Sequence, residues 1–371
     1  MIYLDNAATT LIKPYAVGAA VSRAMREAAS VGRGAHGPGE LAAKTVFAAR
    51  ELANEMFDAG GPERVVFTFN ATHGLNIALR SFDLAGRRVV VSGWEHNSVV
   101  RPLAAAGAEI VPALGPLFDR EANLRAFERA LTPDTALAAV CHVSNVFGFI
   151  MPIEDIADLC RARGIPLVVD ASQSAGVCGL DMKRLGAEFI AMPGHKSLCG
   201  PQGTGLLLVG ENAPIRPLMA GGTGSVSVRH EMPDFLPDAL EAGTHNVPGI
   251  AGLAEGLRFI SSRGTEAILA HERELCLEAA RLLEATGRVR CFLSPDPEAQ
   301  TGVLSFIIDG LDSQTSAVRL GEMGVAVRGG LHCAPLAHSS AGTKGTVRAS
   351  FSAFNTLSDA EGLAEAVARL I

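Results

Sequence analysis

The fold is decided by two short apolar runs, Pro-Leu-Val-Val-Asp at residues 166–170 and Phe-Ile-Ala-Met at residues 189–192. Both are almost continuously hydrophobic, which is typical of strands that are covered on both faces. Similar runs lie between about residues 45 and 210 and alternate with helical patterns: residues 65–69, 88–91, 137–140 and 205–209. This alternation predicts an α/β domain with a mostly parallel sheet.

The pattern changes in the last third of the chain. A helical pattern at about 262–287 is followed by the order strand, helix, strand, strand, helix, at residues 303–308, 313–323, 325–328, 346–354 and 357–370. That order predicts a small α+β domain. Because 371 residues are too many for one ordinary core, two domains are expected.

Composition narrows the range of functions. Charged residues make up 19% of the chain, and no apolar run approaches the roughly 18 residues of a membrane span, so a soluble protein is expected. Basic and acidic residues, 32 and 39 in number, are mixed along the chain without a Lys/Arg block, so nucleic acid is not an expected partner. The first residues do not resemble a secretory signal, and a cytoplasmic location is expected.

The seven cysteines are odd in number, scattered, and without Cys-x-x-Cys spacing. This argues against a disulfide framework and against a metal cluster, so no metal is expected. Most of the cysteines are expected to be small buried side chains.

Ligands of an open α/β sheet bind beyond the carboxyl ends of its strands. Lys196 follows the run at 189–192, where partial burial lowers the pKa of an amine and favours a Schiff base with an aldehyde. Asp170 ends the other run and can hold the pyridine nitrogen of pyridoxal phosphate (PLP) protonated. Taken alone, the lysine is more often a surface residue and the aspartate more often a helix cap.

The segment at 70–76 turns from a strand into a helix, where free N–H groups, from Ala71 onward, and the Thr72 hydroxyl can bind a phosphate. An ordinary helix cap is the alternative. His96 can stack on the pyridine ring and transfer protons, and Asn145 can donate to the phenolic oxygen of the cofactor. Each is equally explained as a polar group at a strand end.

Cys333 differs from the other cysteines because it lies in a segment, residues 328–338, that is rich in turn residues. His332 and Arg328 can lower the pKa of its thiol and raise the thiolate fraction, although a structural cysteine is the alternative. Arg348, in a predicted strand, can bind a substrate carboxylate with its guanidinium fork. A surface salt bridge is the alternative for this arginine.

Together these segments, from Tyr-Leu-Asp-Asn-Ala-Ala-Thr-Thr at 3–10 to Arg-Ala-Ser-Phe at 348–351, resemble the cysteine desulfurases of the class V aminotransferase group, which have PLP fold type I. The resemblance covers nearly the whole chain, with many motifs in the family's order and spacing. It implies a large PLP-binding domain with a seven-stranded sheet at residues 16–250. It also implies a small C-terminal domain at 251–371 that carries the cysteine loop, and an N-terminal segment, 1–15, that belongs to the small domain at the site entrance.

The resemblance implies a role for each matching residue. Around the cofactor, Lys196 is the Schiff-base lysine, Asp170 the pyridine-nitrogen partner, Gln173 a neighbour of the phenolic oxygen, His96 the stacking residue, and Thr72 and His195 the phosphate ligands. Thr244 resembles a residue that reaches the phosphate of the other subunit, which implies a homodimer. Around the substrate, Cys333 matches the persulfide-forming cysteine of the second desulfurase group, Arg348 and Arg328 its carboxylate site, and His36 a position near the substrate.

One position departs from the family pattern. Pro193 stands where the family often has a serine, two residues before His195, so one phosphate hydroxyl is missing unless another donor replaces it.

The implied activity is conversion of L-cysteine to L-alanine, with the sulfur held as a persulfide on Cys333 and passed to an acceptor thiol or protein, for example in iron–sulfur cluster assembly. Four alternatives stay open: a selenocysteine lyase, an aminotransferase, a kynureninase-like hydrolase, and a PLP-binding scaffold without turnover. The aminotransferase and the hydrolase have no need of Cys333, and relative rates on the two amino acids distinguish selenium from sulfur chemistry.

Overall fold

The computed structural model describes residues 1–32 and 34–371. Its strands are β1 Ile2–Tyr3, β2 Val65–Thr68, β3 Arg88–Val91, β4 Glu109–Pro112, β5 Thr135–Cys141, β6 Leu167–Asp170, β7 Phe189–Pro193, β8 Gly205–Val209, β9 Val289–Phe292, β10 Val303–Ile308, β11 Val325–Ala326, β12 Arg328–Gly330 and β13 Thr346–Ser350. Its α-helices are α1 Tyr15–Glu27, α2 Gly37–Phe57, α3 Ala71–Arg80, α4 Asn97–Ala105, α5 Arg120–Ala130, α6 Ile153–Arg163, α7 Met182–Leu185, α8 Val247–Arg263, α9 Thr265–Glu284, α10 Ser313–Glu322, α11 Pro335–Ser340 and α12 Leu357–Leu370.

A seven-stranded sheet forms the centre of the molecule, in the order β2-β8-β7-β6-β5-β3-β4. Only β8 runs against its neighbours, so the sheet is mostly parallel, as predicted. All six predicted runs are strands of this sheet. The seventh, β4, was not predicted because its residues are half-buried or exposed at the sheet edge and form no apolar run.

Successive residues of the central strands are buried on opposite faces of the sheet. Val169 and Ile190 join one apolar cluster, while Val168 and Phe189 join another on the opposite face. Because apolar clusters cover both faces of the sheet, polar ligand-binding side chains are expected at the carboxyl ends of β5, β6 and β7.

A second, four-stranded antiparallel sheet has the order β12-β13-β10-β9. The predicted strand at 325–328 is in fact two short strands: β11 pairs with β1, and β12 pairs with β13. The predicted helix at 262–287 is also divided, because Gly264 adopts a φ of 82° between α8 and α9.

The two ends of the described chain meet in the second lobe. Leu4 lies in the same buried cluster as Leu304, next to the pairing of β1 with β11. Helix α8 spans the expected boundary at residues 250 and 251, and its Ile250 and Ala254 pack with Val46 of α2. The division into domains therefore stays a prediction. Among the described residues, every helix is too short or too polar to span a lipid bilayer.

Candidate active site

A pocket of about 250 Å³, the central pocket, opens at the carboxyl ends of β5, β6 and β7. Its floor comes from the large sheet and the start of α3, and strands β12 and β13 close it from the other lobe. It brings together ten of the residues expected at the site: Ala71, Thr72, His96, Asn145, Asp170, Gln173, His195, Lys196, Arg328 and Arg348.

Lys196 is half-buried on the turn that follows β7. Burial lowers the pKa of its amine to about 8, and the charge of Arg348 adds to the decrease while Asp170 opposes it. About a tenth of this amine is therefore neutral at pH 7. Among the described residues, its Nζ atom makes no hydrogen bond.

Asp170 is buried at the end of β6, and one of its carboxylate oxygens accepts a hydrogen bond from the N–H of Ser172 at 2.9 Å. The neighbouring Gln173 donates through Nε2 to the backbone oxygen of Ala7 at 2.9 Å, which ties the N-terminal segment to the pocket. Asp170 and Lys196 line the same pocket, so they could hold the pyridine nitrogen and the aldehyde of one PLP molecule.

Two hydroxyl groups meet where α3 and α4 begin. The Thr72 and Ser98 oxygens lie 2.8 Å apart, and Ser98 also lies 2.8 Å from Nδ1 of His96. Asn70, not Thr72, is the N-cap of α3, since its side chain accepts from the N–H of His73. The Thr72 hydroxyl is therefore not needed to cap α3, and it lines the pocket together with Ser98. Ser98 and Pro193 both line the central pocket. Ser98 therefore supplies a hydroxyl to this pocket, in which Pro193 replaces the serine of the family pattern.

His96 is neutral in this pocket. Burial lowers its pKa, against the charge of Asp170, which raises it. Nδ1 accepts a hydrogen bond from the N–H of Ser98 at 3.0 Å, so the ring proton is on Nε2. The same contact caps α4 and fixes the orientation of the ring.

Arg348 is buried and held by two contacts. Its Nη1 donates to the backbone oxygen of Asn145 at 2.8 Å, and its Nη2 donates to Asp5 at 2.9 Å. The second oxygen of Asp5 lies 3.3 Å from Nε of Arg328. Nε of Arg348 is buried without a partner among the described residues. This guanidinium therefore keeps N–H groups for a carboxylate in the pocket.

The loop that carries Cys333 is strained and fixed at two points. His332 and Cys333 have φ values of 51° and 55°, a left-handed conformation that non-glycine residues rarely adopt. The N–H of Asn97 donates to the Cys333 carbonyl at 2.8 Å, and Nδ2 of Asn145 donates to the His332 carbonyl at 2.9 Å. Such strain persists only where the surroundings impose it, and it concentrates at functional sites.

The Cys333 thiol is exposed and faces a second cavity, which shares Thr72, His96 and Ser98 with the central pocket. His332 is neutral, because burial, aided by the charge of Arg348, lowers the pKa of this histidine to about 2, and the expected effect of His332 on the Cys333 thiol stays a prediction. Cys141 also lines the central pocket, but burial raises its pKa well above the ordinary value and keeps it a thiol.

Besides Cys333, which lines the second cavity, two expected residues lie outside the central pocket of their own chain. Thr244 is exposed and lines a cavity of about 50 Å³ with Phe69 and His73. His36 is exposed and caps α2, where its Nδ1 accepts from the N–H of Gly39 at 3.2 Å. Their roles at the site stay predictions.

The central pocket fits PLP. Three buried polar atoms that line it have no partner among the described residues: Oδ1 of Asn145, Nδ1 of His195 and Nε of Arg348. Buried polar atoms are rarely left unpaired, so these atoms indicate a polar ligand. The first turn of α3, the Lys196 amine and the Asp170 carboxylate supply what a phosphate, an aldehyde and a pyridine nitrogen require.

The sequence profile of the family described as Aminotransferase class-V matches residues 2–363. The chain belongs to this family, whose members are PLP-dependent enzymes. It is 34% identical to a probable cysteine desulfurase of Aeropyrum pernix, over 100% of this chain and 94% of the relative. A probable cysteine desulfurase of Vibrio cholerae is 32% identical, over 100% and 94%.

Among solved structures, the apo cysteine desulfurase of Thermococcus onnurineus superposes with a TM-score of 0.91 at 30% identity, covering 100% of this chain and 94% of that one. The cysteine desulfurase CsdA of Escherichia coli gives a TM-score of 0.87 at 28% identity, covering 99% and 94%. These similarities place the chain among the cysteine desulfurases. They confirm the expected family, the PLP fold type I and PLP as the cofactor.

Sequence reasoning missed two residues of the site. Asp5 lies between Arg348 and Arg328, and Ser98 lies between Thr72 and His96. Asp5 stands in a quoted motif, but nothing in the spacing links it to a strand more than 300 residues later. Ser98 follows His96 by two positions at a helix start, and that spacing is the signal that was available.

Proposed function

We propose that the protein converts L-cysteine to L-alanine and takes up the sulfur as a persulfide on Cys333, which then passes it to an acceptor thiol. The observation that carries this proposal is the position of Cys333. Its thiol is the one exposed cysteine side chain in residues 1–32 and 34–371, on a loop bound to Asn97 and Asn145 at the wall of the central pocket.

Three residues of the central pocket, Arg348, Lys196 and His96, have a chemical role in this proposal. PLP, when bound, supplies an electron sink for the α-carbon of the substrate. Arg348 binds the substrate carboxylate through its free N–H groups. The neutral amine of Lys196 accepts the α-carbon proton, and His96, whose ring is held by the N–H of Ser98, would stack on the cofactor.

Cys333 acts as a thiolate. It attacks the substrate sulfur, so a sulfur–sulfur bond forms while the bond between the β-carbon and sulfur breaks. The electron pair of the broken bond stays with carbon, and a proton completes the methyl group of alanine. The cavity that Cys333 lines adjoins the central pocket, because the two cavities share Thr72, His96 and Ser98.

We also propose a homodimer with a site at each interface. Thr244 and His36 are exposed and lie outside the central pocket of their own chain, which supports a role across an interface. We likewise propose domain boundaries near residues 15 and 250 and a cytoplasmic location.

The test is incubation of the purified holoenzyme with L-cysteine, followed by measurement of alanine, sulfide and persulfide on the protein. Cys333→Ser is expected to reduce sulfur release by at least about 100-fold, because the nucleophile is lost. Cys291→Ser is the matched control, since Cys291 is half-buried and lies outside both cavities. Full activity of Cys333→Ser contradicts the proposal.

The same protein offered selenocysteine and keto acids tests the alternatives. Faster turnover of selenocysteine than of cysteine identifies a selenocysteine lyase. Transfer of the amino group to a keto acid identifies an aminotransferase.

A further inference from the structure

The cavity in front of Cys333 is an open groove of about 390 Å³ between two helices. It is called here the arginine groove and is defined by Thr72, Asn76, Arg80, Asn97, Arg101 and Cys333. It adjoins the central pocket at Thr72 and leads away from it along the surface. Neither of its two arginines has a part in the chemistry described above.

The groove is lined by two regular stripes of side chains. Thr72, Asn76 and Arg80 follow one another at every fourth residue of α3, and Asn97 and Arg101 do so on α4. Both helices begin beside the central pocket. Arg101 therefore lies about 6 Å along its helix from Asn97, and Arg80 lies about 12 Å along its helix from Thr72.

The charge of the groove is positive and uncompensated. Within residues 1–32 and 34–371, no carboxylate lines it. Arg80 and Arg101 are exposed, and neither makes an ion pair or a side-chain hydrogen bond within the part of the chain that the structure describes. This is notable in a chain with a net charge of −7. Two unpaired cations beside an exposed thiol attract anionic groups to that thiol.

We propose that the arginine groove binds an acidic polypeptide segment that carries the acceptor cysteine and presents it to Cys333. The inference rests on the proposed role of Cys333 as persulfide carrier. In the transfer step the acceptor thiolate attacks the outer sulfur of the Cys333 persulfide. A new sulfur–sulfur bond forms on the acceptor, the bond to Cys333 Sγ breaks with its electron pair on Sγ, and the acceptor proton passes to solvent.

The length of the groove favours a polypeptide over a small thiol. A distance of about 12 Å corresponds to about four extended residues. With the acceptor cysteine at Cys333, carboxylates about two and about four residues along the segment lie near Arg101 and Arg80 respectively. A small anionic thiol reaches at most the nearer arginine.

The experiment uses the holoenzyme, first loaded with an equimolar amount of L-cysteine and then separated from unreacted substrate. Loading is measured as alanine released and as persulfide mass on the protein. Two synthetic peptides follow, each with one cysteine, one with aspartate and the other with asparagine at the second and fourth positions after it. Transfer is measured by mass spectrometry and expressed per loaded persulfide.

The aspartate peptide is expected to react about tenfold faster than the asparagine peptide at low ionic strength, and salt is expected to remove most of the difference. In the double variant Arg80→Gln, Arg101→Gln the two peptides are expected to react equally. Arg129→Gln, an exposed arginine on α5 outside the groove, is the matched control and keeps the preference. The charge reversal Arg80→Glu, Arg101→Glu is expected to favour a peptide with lysines.

Three results overturn the inference, and they are distinguishable. Equal rates for the two peptides on the loaded, unaltered protein exclude the groove as an acidic docking site while the desulfurase proposal stands. A faster rate for 3-mercaptopropionate than for the aspartate peptide excludes the polypeptide. Absence of persulfide on Cys333 after alanine release removes the proposed role of Cys333, and the inference with it.

Discussion

Asp5 pairs with Arg348 across 343 positions of sequence, at 2.9 Å between a carboxylate oxygen and Nη2. Arg348 and Arg328 stand directly opposite each other on neighbouring strands, an arrangement of like charges that is unfavourable on its own. Asp5 contacts both and compensates both. It therefore holds two cations at one wall of the central pocket and leaves Nε of Arg348 free for a substrate.

Arg348→Lys is expected to raise the KM for cysteine by about 10- to 100-fold, because an ammonium group cannot bind a carboxylate through two parallel hydrogen bonds. Asp5→Ala is expected to raise the KM by about tenfold, since Arg348 loses one of its two anchors. Steady-state kinetics with cysteine measures both effects. Arg319→Lys, on the exposed face of α10, is the control. An unchanged KM in Arg348→Lys argues against the carboxylate site.

The capture of PLP by the apoprotein is expected to accelerate as pH rises through about 8, the pKa to which burial lowers the Lys196 amine. The neutral amine is the reactive form, so the rate increases above that pKa and levels off about one unit higher. Stopped-flow absorbance of the near-visible band at a series of pH values measures it.

Two variants are expected to move this midpoint in opposite directions. Asp170→Asn removes a charge that raises the pKa of Lys196, so the midpoint moves to lower pH. Arg328→Gln removes a charge that lowers it, so the midpoint moves to higher pH. Shifts of the same sign in both variants contradict this account of the Lys196 environment.

Ser98→Ala is expected to weaken PLP binding by about tenfold, because a hydroxyl near the start of α3 is lost from an anion site. Pro193→Ser is expected to tighten binding, since it adds the hydroxyl that the family pattern has at this position. The dissociation constant is measured by titrating the apoprotein and following the absorption band. Ser339→Ala, which changes an exposed serine, is the control. Equal affinity of Ser98→Ala and the unaltered protein excludes Ser98 from the phosphate site.

Arg50→Met is expected to lower the free energy of unfolding by about 3–5 kcal/mol, because it leaves the buried Glu241 carboxylate without its cation. Glu241 also lies 2.6 Å from His245, next to the segment that carries Thr244. Denaturant titration at pH 7 measures the loss. Arg125→Met breaks the exposed pair with Glu121 and is expected to cost less than about 1 kcal/mol.

The same pair predicts a dependence of stability on pH. Burial alone raises the pKa of Glu241, but the hydrogen bond with His245 and the charge of Arg50 hold it below the ordinary value of 4.5. A lowered carboxyl pKa contributes stability that is present above about 4.5 and is lost as pH falls through the folded-state value. Glu241→Gln is therefore expected to flatten the stability profile below pH 4.5, whereas an unchanged profile excludes Glu241 as its source.

The parts of the fold that sequence predicted are those with a local signal. The central strands are buried on both faces and read as continuous apolar runs, so all six predicted runs were correct. The edge strand β4 lacks such a run, because half of its residues are exposed. The division of the predicted strand at 325–328 into β11 and β12 was not predictable, because it depends on pairing with the distant strands β1 and β13.

The residues of the site that sequence predicted are likewise those with a local signal. Lys196, Asp170 and Thr72 stand just after strands, where the sheet rule places ligands, and all three line the central pocket. The neutral state of His332 was not predictable, since it depends on burial against Thr346 and on the charge of Arg348. Asp5 was missed for a related reason, because its partners come from β12 and β13.

The left-handed backbone of His332 and Cys333 determines how a replacement of His332 affects the Cys333 thiol. Two successive left-handed residues cost about 1–3 kcal/mol each, and the contacts to Asn97, Asn145 and Thr346 are among those that offset this cost. Replacing His332 with glycine is expected to relieve the backbone strain, because glycine adopts the left-handed conformation without cost. The same replacement is expected to make the Cys333 thiol more mobile. The contacts of this loop therefore fix the backbone of Cys333 before any substrate binds, at a cost in stability.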